Sequence, residues 1–109
     1  MKLADIAHSR SGDKGDTLNI SLIAYDKRDY EFLRVVATSE SVANYLRGFV
    51  RGGVERYELP QLGALNFVLH RALGGGVTRS LSLDRHGKTL SSVLLEMPIK
   101  HRKENPNKT

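Results

Sequence analysis

Between His8 and Thr17 the chain runs HSRSGDKGDT. Ser9, Arg10, Ser11, Asp13, Lys14 and Asp16 crowd around Gly12 and Gly15, whose missing Cβ atoms allow tight turns and a close approach of backbone amides to a bound group. Amide donors, serine hydroxyls and the cations of Arg10 and Lys14 together suit a carboxylate or a phosphate. The spacing is neither GxxxxGK[ST] nor GxGxxG, so no nucleotide is assigned. A loop satisfied by its own Asp and Arg pairs accounts for the same residues without a ligand. Asp13 and Asp16, with a lysine between them, make a poor oxygen cage for Mg²⁺ or Ca²⁺.

A second glycine-rich segment, GGGVTRS, places Gly74, Gly75 and Gly76 close to Arg79 and Ser80. A helix stop followed by a turn explains it. An anion held by those amides would need Arg79, because the carboxyl end of a helix carries the negative end of its dipole. Asn66 and His70 stand four apart and share a face if LGALNFVLHRAL is helical. Histidine suits proton transfer near neutrality, which makes His70, with Asp16, a candidate acid or base; a single structural hydrogen bond is its commoner use. His8 sits at the lip of the polar segment, but no nucleophile is paired with it by spacing. The four histidines lack an HExxH pattern, and with no cysteine in the chain thiolate chemistry is excluded, so neither a metal nor a cofactor is expected. In VERYEL, Arg56 either pairs with Glu58 or, with Tyr57, marks a protein interface, where both residue types are enriched.

Periodicity supplies the elements that must hold these residues. Leu3 to Ala7 alternates briefly, and HSRSGDKGDT reads as a loop. In LNISLIAY, Leu18, Ile20, Leu22 and Ala24 fall on one side of a strand, with Asn19 and Ser21 on the other. A short helix is expected from Asp29, although Val35 and Val36 would suit a strand equally. Thr38 or Ser39 caps a helix with Val42, Tyr45, Leu46 and Phe49 on one stripe, ending before Gly52 and Gly53. VERYEL is a strand closed by Pro60. Residues 62–73 are expected to form a helix on Leu65, Val68, Leu69 and Ala72, stopped by the glycine run. Val77, Leu81 and Leu83, then Val93, Leu95, Met97 and Ile99, alternate about DRHGK as an antiparallel hairpin. Helices on one face of a mainly antiparallel sheet, an α+β two-layer sandwich, bury both kinds of apolar face.

The 109 residues fit one domain, expected over residues 1–99, with 100–109 a basic, disordered tail. The formal charge of +5 is uneven: KHRKENPNKT holds four Lys or Arg against one Glu, +3, which leaves +2 for the rest. Basic and aromatic residues do not alternate as a platform for single strands requires, so no nucleic acid is expected. No run approaches the roughly 20 apolar residues of a membrane span, and the opening segment lacks an apolar stretch with a cleavage site, so a cytoplasmic protein is expected.

HSRSGDKGD, the N-I pair after it, VERYELPQLGALNFVLHRALGGGVTRSL and the D-x-x-G-K segment, in that order, resemble the AtuA-like family over residues 3–98. These are small ferredoxin-fold domains found alone or fused behind the acyclic terpene utilisation protein AtuA. The resemblance implies a ferredoxin-like α+β fold and a place beside enzymes of branched or terpenoid acyl-CoA catabolism. It implies a site shared by Ser11, Gly12, Asp13, Lys14, Gly15, Asp16, Asn19, Asn66 and the Gly74–Gly76 run, to which the reading of the two segments themselves adds Arg10 and Arg79 as ligand-binding countercharges. The expected role is an accessory or ligand-binding subunit of a larger AtuA-like protein, with an acyl-CoA or carboxylate ligand. A small lyase or hydratase and a homo-oligomeric structural module are the alternatives.

Overall fold

In a computed structural model of the chain, residues 1–14, 17–72 and 89–100 are described. Among them run β1 (Ala7–Lys14), β2 (Thr17–Ala24), α1 (Tyr30–Val36), α2 (Ser39–Tyr45), β3 (Val54–Leu59), β4 (Ala64–Leu69) and α3 (Leu90–Leu94). The strands form one antiparallel sheet in the order β1-β2-β4-β3. Period-two alternation sends Leu18, Ile20 and Leu22 of β2 and Leu65, Phe67 and Leu69 of β4 to one face, in register as Ile20↔Phe67 and Leu22↔Leu65. Leu33 of α1, Val42 of α2 and Leu94 of α3 are fully buried in the same cluster, so the helices form one layer on the inner face of the sheet. This is the expected α+β sandwich.

Local chemistry sets the boundaries. The Thr38 hydroxyl accepts from the Ser41 amide at 3.0 Å, and the Ser41 hydroxyl accepts from the Thr38 amide at 3.0 Å, a reciprocal cap that starts α2. Pro60 opens a tight turn and Gly63, at φ 62°, takes the left-handed conformation that returns the chain into β4. The strands in LNISLIAY and VERYEL, the helix after Asp29 and the Thr38 cap all form as periodicity predicts.

Four expectations change. Residues 8–14 are not a loop but most of β1, an edge strand whose polar side chains are tolerated because only one neighbour pairs with it. Leu3–Asp5 is a short 3-10 turn rather than an extended start. Most of the segment 62–73, expected to be helical, forms the central strand β4: Leu65, Phe67 and Leu69 alternate onto the core face, and half-buried Val68 on the other face completes what reads along the sequence as a helical stripe. Residues 93–99 do not make a strand. Thr89 caps α3, and Leu90, Leu94 and Met97 are the buried set, at helical spacing, while Val93, Leu95 and Ile99 are only partly buried. Val77 to Lys88, the other part of that expected hairpin, lies outside the described residues.

One side chain ties the layers together. Arg56, on the inner side of β3, donates to the carbonyls of Arg34 at 2.6 Å and Ala37 at 3.0 Å, where α1 ends, and to Glu58 at 2.9 Å. The last carbonyls of a helix have no partner within it, and a cation there also meets the negative end of the dipole. Its side chain is 18% exposed, so water does not replace it freely. Arg56→Ala is expected to lower unfolding stability by about 2 kcal/mol, read from chemical denaturation, with Arg56→Lys intermediate because an ammonium cannot span the same carbonyls.

Candidate functional site on the open sheet face

The residues between the buried positions point away from the helices. Register places Arg10, Ser21, Asn66 and Tyr57 in one row across all four strands. The next row is Gly12, Asn19, Val68 and Glu55. No helix among the described residues covers either row; Arg10, Asn19, Glu55 and Tyr57 are exposed and Ser21, Asn66 and Val68 half-buried.

Within the rows the polar groups already hold one another. Asn66 Nδ2 donates to Asn19 Oδ1 at 2.6 Å and to Ser21 Oγ at 2.9 Å. The Tyr57 hydroxyl donates to Glu55 Oε1 at 2.5 Å, and His70 Nε2 lies 2.8 Å from Glu55 Oε2. Those bonds, Tyr57 first and His70 second, hold the Glu55 carboxyl below its usual 4.5, and the same contact raises the Tyr57 phenol above 10.0. At the far end of the face the His8 and Tyr25 rings lie 5.1 Å apart, beside the row His8, Ile23, Ala64 and Leu59.

The backbone beyond β3 and β4 fixes His70. The Gly52 amide donates to the His70 carbonyl at 2.8 Å, the His70 amide donates to the Gly53 carbonyl at 2.9 Å, and Arg71 turns through φ 58°. A Cβ on Gly52 would meet the His70 carbonyl oxygen at 2.6 Å, whereas one on Gly53 would meet nothing within 4 Å.

Of the residues expected to form a site, Arg10, Gly12, Asn19 and Asn66 stand together on this face, and Asn19 and Asn66 are in direct contact. Ser11 does not join them. It pairs with Ile20 and belongs to the opposite face. Asp13 and Lys14 pair with Leu18 and Thr17 at the hairpin end, and Gly15, Asp16, Gly74, Gly75, Gly76 and Arg79 lie outside the described residues. Asn66 and His70 share a face for a reason other than the helical one: a separation of four is also even, and a strand repeats every two. The expectation passed over Ser21 and Glu55 and offered Tyr57 only as a mark, with Arg56, of a protein interface. Their signal was the strand alternation that placed Ser21 beside Asn19 and Glu55 beside Tyr57.

A groove of about 400 Å³ lies elsewhere, between α2 and the segment after α3, with Val36, Tyr45, Met97 and Ile99 among its walls. The described residues hold no group of three or more His, Asp or Glu placed to bind a metal. The arrangement suits recognition: fixed amides, a fixed carboxylate, a guanidinium and aromatic rings on a rigid sheet.

Two tests follow the geometry. Glu55, with its pKa lowered by folding, contributes stability above pH 4.5 that is lost as pH falls through the lowered value. In Tyr57→Phe the Glu55 carboxyl is expected to titrate closer to 4.5, read by carboxyl NMR, and the variant's stability deficit is expected to shrink below that pH. Gly52→Ala is expected to cost about 1–3 kcal/mol and to separate His70 from Glu55, while Gly53→Ala leaves both unchanged, as unfolding curves and the imidazole NMR shifts would show.

The family model described as the AtuA ferredoxin-like domain matches residues 1–100. No curated protein and no solved structure gives a significant match. No helix among the described residues is long and apolar enough to cross a membrane. With its α+β sandwich and a match over nearly its whole length, the chain belongs to the AtuA ferredoxin-like domain family.

Proposed function

We propose that this chain is a non-catalytic accessory module of an AtuA-like larger protein, and that it engages that protein through its open sheet face. The observation that carries the reading is the internal bonding of that face: Asn66 to Asn19 and Ser21, and Glu55 to Tyr57 and His70. Side chains fixed before association lose less freedom on binding, and Tyr and Arg are the types that concentrate binding energy. A face of exposed and half-buried polar side chains suits a protein better than a small acyl chain, which binds in a concave apolar site. Family membership supports the identity of the partner. Branched or terpenoid acyl-CoA catabolism in the cytoplasm is the setting that fits, with the module helping to shape a partner pocket for an acyl-CoA or carboxylate. In this proposal residues 1–99 act as one domain, and Arg10, Gly12, Asn19 and Asn66 contact the partner.

Co-expression with an AtuA-like large chain from the same genome tests this. A stoichiometric complex is expected, weakened roughly thirtyfold or more by Tyr57→Ala, about 2 kcal/mol of binding. Failure of the two chains to associate at micromolar concentration would sink the accessory role.

A further inference from the structure

The open face is complementary to itself. Among the side chains described on it, the cation Arg10 stands on edge strand β1, and the fixed carboxylate, Glu55, and exposed ring, Tyr57, stand on the opposite edge strand, β3. The strands between them carry only neutral side chains on this face: Asn19, Ser21 and Ile23 on β2, and Ala64, Asn66 and Val68 on β4. The middle of the four-strand order falls between β2 and β4.

From this placement we infer that a second copy of the chain packs on the open face, about a two-fold axis that runs parallel to the strands and between β2 and β4. Such an axis exchanges the two edges and keeps each row at its own height. Arg10 of one copy lies over Tyr57 of the other and reaches Glu55, one same-face step along β3. Ser21 meets Asn66 at the centre. Among the described residues the Asn66 Oδ1 acceptor and the Asn19 Nδ2 donors remain unbonded for the other copy. In the row His8, Ile23, Ala64 and Leu59, His8 of one copy meets the exposed Leu59 of the other. Every contact occurs twice, as an isologous interface requires, and face-to-face sheets normally align within about 30°. The Arg10 guanidinium gains both the ring face and the carboxylate.

Four strands at about 4.8 Å and six residues at about 3.3 Å give each copy a footprint of roughly 400 Å². The two footprints total about 800 Å², below the roughly 1,000 Å² of a stable interface, so the dimer is weak and dissociates on dilution. The inference rests on the face alone; a second copy and a larger protein would occupy it in turn, not together.

Sedimentation of the purified chain from micromolar to millimolar concentration, at low ionic strength, is the test. A concentration-dependent shift to twice the chain mass is expected. Arg10→Glu and Glu55→Arg should each weaken dimerisation at least about tenfold, because each reversal sets like charges together twice. Mixing the two variants should restore a dimer, since each then supplies the charge the other lacks; circular dichroism checks that both are folded. A wild-type chain that stays monomeric throughout, or folded variants whose mixture fails to associate, overturns the inference.

Discussion

The antiparallel register between β2 and β4 is the constraint on which both surfaces of the sheet depend. With Ile20 against Phe67, the apolar positions of both strands line the core; with Ser21 against Asn66, the polar positions meet on the open side. A slip of one residue would send Leu65, Phe67 and Leu69 outward and drive Asn66 into the helical layer. The core therefore fixes the site: hydrophobic burial selects the register, and the register puts the Asn66 amide within reach of Asn19 and Ser21. Side chains from positions 19 and 66 are brought together with no loop to hold them.

The helical layer is attached by fewer and more local devices. The described helices are short, α1 and α2 with 7 residues each and α3 with 5, below the length at which a helix is stable by itself. Packing against the sheet and capping must sustain them. Arg56 serves α1 from the sheet side by binding the carbonyls of Arg34 and Ala37, while α2 and α3 each start at a threonine that bonds a serine three residues on. This division leaves the open side of the sheet free of structural duty to the core.

Much of the fold was legible because local signals and tertiary demands agree in β2, β3 and α2. They disagree in β4. Leu65, Val68, Leu69 and Ala72 form a helical stripe in one dimension, yet the partners of that segment are strands distant in sequence, and only pairing reveals that Leu65 and Leu69 share the core face with Phe67 while Val68 lies on the other. Residues 93–99 mislead in the opposite way: their alternation is real, but the Thr89 cap and the buried set Leu90, Leu94 and Met97 prevail. For the site, Arg10, Gly12, Asn19 and Asn66 were legible as polar or glycine residues out of place in a core, whereas Ser11 was separated from them by the pleat. Glu55 and Tyr57 join the face through the β3–β4 register, which composition does not contain.

The neutral centre of the open face has a consequence for how it would respond to its medium. Its ionisable groups among the described residues, Arg10, His8, Glu55, Tyr57 and His70, all stand on the outer strands or at the strand ends. At physiological ionic strength charges are screened over about 8 Å, so the marginal groups would govern how fast a partner arrives and how strongly salt slows it. The amide and apolar centre would govern how long the partner stays. Speed of encounter and lifetime of contact are thus carried by different strands of one sheet and can change independently in sequence.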